Sequence, residues 1–193
     1  MPPAKTNSIP IDFSALVGFF YDPPRLLGEF RRCAGAGEVP QPQRSLLNHH
    51  AHMTVTVEAH HRCAVDVHVE RTRYGEVSGD AHGPKRSWYA REITLHRITD
   101  RRPVQYGIVR LYQDLLAPDV WEEIRSEQAP LGRVLIEHNV LREVQLCGLW
   151  QITAGKPLAN LLWQTSGSLL YGRTALIYCD RQPAIELIEI VVP

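Results

Sequence analysis

Residues 88–112 and 170–192 read as two copies of one β-hairpin, and that repetition narrows the possible folds more than anything else in the chain. Tyr89-Ala90-Arg91 leads to the turn Asp100-Arg101-Arg102-Pro103 and on to Ile108-Val109, while Tyr171-Gly172-Arg173 leads to Asp180-Arg181-Gln182-Pro183 and on to Ile190-Val191. Strands joined by connections this short pair antiparallel. The repeat therefore commits the chain to an antiparallel sheet that includes a duplicated unit.

The rest of the chain supplies helices and further strands. Residues 1–7 are polar and Pro-rich and read as a frayed arm. Two short helices are expected over 12–20 and 24–33, then a loop over 38–43 that holds two prolines. Residues 45–61 are ambiguous, since Ser45 suits a helix cap while Val55 and Val57 alternate like a strand; helix is favoured through Met53. Val65, Val67 and Val69 alternate with Asp66, His68 and Glu70, the period-two mark of a strand with one wet face. Helices over 118–128 and 131–138, a strand over 140–153 and an irregular or helical stretch over 156–168 complete the order. The expected architecture is α+β, a single antiparallel sheet of about six strands with helices packed against it. Its expected division is an N-terminal arm over 1–44 and a domain over 45–193, together one compact unit.

Strand parity singles out two charges. The odd positions of 89–95 are Tyr89, Arg91, Ile93 and Leu95, and those of 185–191 are Ile185, Leu187, Glu189 and Val191. Each face is apolar but for one ion. Burying an ion alone is costly, so Arg91 and Glu189 either pair with each other or line a pocket. In a pocket, the planar guanidinium of Arg91 clamps a carboxylate through two parallel hydrogen bonds, and Glu189 serves as an acid, a base or a binding group. Parity does not choose between these readings.

Charge and cysteine usage exclude other classes. Lys and Arg (21) balance Asp and Glu (21), which leaves no electrostatic footprint for a nucleic-acid backbone or an acidic membrane. Cys33, Cys63, Cys147 and Cys179 form no CxxC pair, and reduced thiols in a cytoplasmic protein are the expectation. No apolar run is long enough to cross a bilayer, and no signal peptide is evident. Six of the nine histidines fall between His49 and His68, yet no HExxH occurs and no metal site is expected. Ser166-Gly167-Ser168 lacks the GxSxG elbow, and Gly79 to Gly83 lacks a phosphate-loop pattern; both read as loops.

Trp88-Tyr89-Ala90-Arg91-Glu92-Ile93, Pro130-Leu131-Gly132-Arg133-Val134-Leu135 and Glu189-Ile190-Val191-Val192-Pro193, with His52-Met53-Thr54 before them, resemble in order and spacing the segments of chorismate pyruvate-lyases. The likeness covers roughly residues 45–193 and is greatest to the broad branch of that family outside the ubiquinone-pathway enzymes. The resemblance implies the chorismate lyase-like fold and a cofactor-independent cleavage of chorismate to 4-hydroxybenzoate and pyruvate. It implies Arg91 and Glu189 as the catalytic pair, Arg91 and the Leu131 N–H on the ring carboxylate, Met53 against the ring, and Glu189 at the ring hydroxyl. Arg173 and Arg133 are the candidates for chorismate's second carboxylate. Residues 1–44, the His-rich approach to Met53 and the longer segment between Trp150 and Tyr171 depart from the family pattern. Two alternatives stand beside the lyase. One is a non-catalytic sensor of the same fold that binds an aromatic acid; the other is a lyase acting on a related cyclohexadiene carboxylate.

Overall fold

A computed structural model describes residues 11–77, 85–140 and 142–193. The frayed arm expected over 1–7 and the loop at Gly79–Gly83 lie outside the described residues. Among the described residues, seven strands form one fully antiparallel sheet: β1 (Gly28–Arg32), β2 (Val65–Val77), β3 (Arg86–Arg97), β4 (Pro103–Tyr112), β5 (Arg142–Ala154), β6 (Leu169–Cys179) and β7 (Gln182–Val191). Their order is β1-β5-β6-β7-β4-β3-β2. The two repeated hairpins, β3–β4 and β6–β7, thus meet at the centre through the β4–β7 pairing. Each carries a register shift just before its turn, at Leu95/His96 and at Ile177/Tyr178. Counting back from that shift, Arg91 and Arg173 each stand four residues before Leu95 and Ile177, so the duplication extends to position in the sheet.

Helices cover both faces. On one lie α2 (Gln43–Leu47), α3 (Met53–His61), α4 (Pro118–Ser126) and α5 (Leu131–Glu137). Leu47, Met53 and Val57 pack with Ile93, Leu95 and Val191, while Ile124, Leu131 and Val134 pack with Val109, Ala175 and Leu187. On the other face α1 (Phe13–Gly18), residues 20–27 and α6 (Lys156–Leu161) cover Ala90, Tyr106, Ile108, Ile188 and Ile190. Both faces of β3 and β4 are consequently buried. No helix among the described residues is long and apolar enough to cross a membrane.

Three elements differ from the sequence expectation. The helix expected over 24–33 is a 3-10 turn (Pro24–Leu26) followed by β1, the seventh strand. Its backbone pairs with the edge of β5, and Gly28 allows close approach, since a Cβ there would stand 2.7 Å from the Thr153 carbonyl oxygen. The helix favoured through Met53 instead breaks over 48–52, and Met53 begins α3. A buried arginine from β6 holds that break open: Arg173 Nη1 donates to the His49 carbonyl at 3.0 Å and Nη2 to that of Ala51 at 3.2 Å. A long-range ligand of this kind leaves no local signature. The helix expected to run to 128 stops at Ser126 because Glu127 takes a left-handed conformation (φ +61°).

Candidate functional site

A cavity of about 40 Å³ lies over the centre of the sheet, between the first turns of α3 and α5. Its floor is one row across three strands, in which Ile93 faces Gly107 and Gly107 faces Glu189. Gly107 puts no side chain into that row and leaves the space. Met53 and Thr54 form one wall, Leu131 and Gly132 the opposite one, and Arg91 closes the end toward α4. Residues from 52–54, 91–109, 130–132 and 177–189 are brought together although they are far apart in sequence.

Arg91 is 1% exposed and forms no ion pair among the described residues. Its Nη1 lies 3.5 Å from the Ile124 carbonyl oxygen, a long contact at the negative end of α4, and its Nε has no partner. Burial lowers its pKa, against the pull of nearby Tyr89 and Glu127, which hydrogen-bond to each other at 2.9 Å. Almost every buried polar group in a folded protein has a partner, and a guanidinium with an idle Nε beside a cavity has a donor to spare for an anion. Next to it, Leu131 supplies the first N–H of α5, which has no partner within the helix.

Glu189 belongs to a different pair from the one parity offered. Its Oε2 accepts from Arg173 Nε at 2.6 Å, directly across β6 and β7. The Arg91–Glu189 ion pair is therefore corrected to Arg173–Glu189; Arg91 itself faces Val109 on β4. The second oxygen of Glu189 is 3.5 Å from Gln105 Nε2, and Gln105 Oε1 is buried without a partner at the cavity edge. Glu189 lines the cavity and has a spare acceptor there.

The structure does not bring Arg173 or Arg133 to the cavity. Arg173 is 1% exposed, and its donors serve Glu189, His49 and Ala51. Arg133 projects from α5 to Glu58 at 2.7 Å. Neither guanidinium is placed to take a second carboxylate in this arrangement. Arg91, Met53, Leu131 and Glu189 do converge, joined by His52 and Thr54, which the sequence motif contains without a role, and by Gln105 and Gly107, which it does not contain. Extending the parity test to β4 finds Gln105 alone among Gly107, Val109 and Leu111.

His52 occupies the N-cap position of α3 without a side-chain capping bond and packs on Gly132, where a Cβ would come 3.2 Å from the His52 Cβ. Its Nε2 accepts from Arg142 Nε at 2.5 Å. Burial, reinforced by the Arg142 and Arg173 cations, brings its pKa down to about 4, so the ring is neutral at physiological pH. His49 and His50 bond to the carbonyls of Leu46 and Val144, which accounts for part of the His-rich segment as scaffolding.

A second polar cluster lies on the other face. Glu92, 1% exposed, accepts from Tyr21 Oη at 2.5 Å, Tyr106 Oη at 2.7 Å and Arg71 Nε at 2.6 Å. Three donors satisfy the carboxylate, and the cluster ties the N-terminal segment to the sheet.

No family model and no curated protein matches the chain. Solved structures do. The chain resembles PhnF from Mycobacterium smegmatis with a TM-score of 0.54 and 11% identity, over 72% of this chain and 62% of that one. It resembles the ligand-binding domain of a protein assigned to the GntR family of transcriptional regulators from Bordetella bronchiseptica (TM-score 0.48, 15% identity, 66% and 84% covered). A third match is the C-terminal domain of the histidine utilization repressor from Pseudomonas syringae pv. tomato (TM-score 0.47, 14% identity, 66% and 90% covered). At 11% identity the likeness to PhnF shows the fold alone, the expected chorismate lyase-like one, with seven strands among the described residues rather than about six. The expectation of an enzyme is not carried further, because none of these matches supports it. Where these matched proteins are described by role, the role is transcriptional regulation or ligand binding, and none of them is described as a lyase.

Proposed function

We propose that this chain is a non-catalytic binding module for a small organic anion, with an aromatic carboxylic acid as the best-fitting class. The observation that carries the reading is Arg91, a fully buried guanidinium that lacks an acidic partner and borders a cavity. A carboxylate there receives two parallel charge-assisted hydrogen bonds, with the Leu131 N–H as a third donor. Met53, Ile93 and Leu187 give the body of the ligand an apolar surround, and Glu189 Oε1 with Gln105 gives its far end a polar group to meet. An apolar pocket with a few convergent polar groups is the usual plan of a small-molecule site.

The size of the cavity couples binding to movement. Its 40 Å³ is about a quarter of the engineered ~150 Å³ cavity that admits benzene, so a ring enters only as the walls yield. Such coupling between ligand and conformation is what a sensor needs. Thermal shift with benzoate, 4-hydroxybenzoate and the corresponding neutral amides tests the reading. Stabilisation by the acids alone supports it; equal stabilisation by acids and amides, or none by either, contradicts it.

A further inference from the structure

His52 borders two spaces. Its ring forms part of the wall of the inner cavity beside Met53, and it also lines an open cleft of about 570 Å³ on the outside, between residues 50–52 and the start of β5. Arg142 lines that outer cleft and forms no ion pair among the described residues. Its Nη1 donates to the Val140 carbonyl at 2.9 Å, with a longer contact to that of Leu135, and its Nε donates to the His52 ring. Glu143 is the one carboxylate in the cleft lining, and it is exposed.

From this placement, and resting on the anion-binding reading above, we infer that the inner cavity and the outer cleft are two halves of one site, divided by the His52 ring. The ligand is then an elongated molecule with an acidic group at each end, one on Arg91 and the other on Arg142. Three features support the division being movable. The neutral ring is held on Arg142 by a single polar contact, and its other support is the bare backbone of Gly132. The ring stands on the helix break at 48–52, whose backbone is anchored by Arg173 at His49 and Ala51, so the side chain can turn without moving the segment. When it turns, a ligand carboxylate replaces an imidazole nitrogen on Arg142 Nε, exchanging a neutral acceptor for an ionised one.

The probes are benzoates that bear a para carboxylate on linkers of increasing length, each beside its methyl ester, titrated calorimetrically into the wild type and into the Arg142→Met and His52→Ala variants. At least one diacid is expected to bind about tenfold tighter than its monoester in the wild type, and Arg142→Met should bring the diacid down to the affinity of its monoester. Saturable monoester binding by the variant shows that it is folded. His52→Ala should tighten both, since no ring need be displaced. If monoesters bind through Arg91 but no diacid gains from Arg142, the two-part site is wrong and the anion-binding reading stands. If no acid binds at all, both fall.

Discussion

Arg173 Nε donates to Glu189 Oε2 at 2.6 Å across β6 and β7, whereas Arg91, at the matching place of the first hairpin, faces Val109. The duplicated unit has thus kept its cation twice and its cross-strand acid once. One copy is a closed structural pair, and the other is left with an open valence beside a cavity. Opposite responses to the same kind of substitution follow.

Arg91→Met should leave the free protein as stable as the wild type or raise its stability by about 1–3 kcal/mol, because it removes a buried charge that lacks a partner. Arg173→Met should cost about 3–5 kcal/mol, since it orphans Glu189 and frees the carbonyls of His49 and Ala51. Urea denaturation of both variants measures the contrast. A large loss in Arg91→Met would mean that Arg91 is structural.

Gly107→Ala should weaken acid binding by about tenfold while changing stability by less than about 1 kcal/mol. The added methyl sits at ordinary contact distance, 3.4 Å from the Ile188 carbonyl oxygen and from Ile93, so the strand tolerates it. It also occupies the floor of the cavity between Ile93 and Glu189. Undiminished affinity in this variant would place the ligand elsewhere.

Acid should destabilise the fold partly through His52. Its folded pKa of about 4 lies below the ordinary value of 6.5, so the unfolded chain binds the extra proton. The stability this group contributes is therefore complete above about pH 6.5 and is lost as the pH falls toward 4. His49, also lowered chiefly by burial, acts in the same direction. Chemical denaturation from pH 8 to 4 should show a shallower decline for His52→Gln than for the wild type. Parallel curves would show that the ring is as free to protonate as in the unfolded chain.

Glu92→Ala should cost about 3–5 kcal/mol, because it leaves Arg71 and two tyrosine hydroxyls facing a buried gap. Tyr21→Phe, which removes one of the three donors, should cost about 1 kcal/mol. Hydrogen exchange in residues 13–27 is the sharper readout, since loss of the cluster should release that segment from the sheet before global unfolding.

The repeat announced the sheet, and the odd positions of two strands announced Arg91 and Glu189, because both signals are local. What remained hidden is long-range. Which acid pairs with which arginine depends on the β6–β7 register, and Arg173 lay outside the parity comparison. Glu92 reads as the wet side of β3 until α1 and residues 20–27 are laid over that face. Gly28–Arg32 reads as helix because its strand pattern is weak, and only the free edge of β5 makes it extended. The cavity owes its space to Gly107, where an absent side chain gives parity nothing to detect.

The central claim is that Arg91 receives the carboxylate of a small ligand, and calorimetric titration of 4-hydroxybenzoate into the wild type and Arg91→Met tests it most directly. Binding should be saturable in the wild type and absent from a fully folded Arg91→Met protein. Equal binding to both, or no acid bound by the wild type, would contradict it.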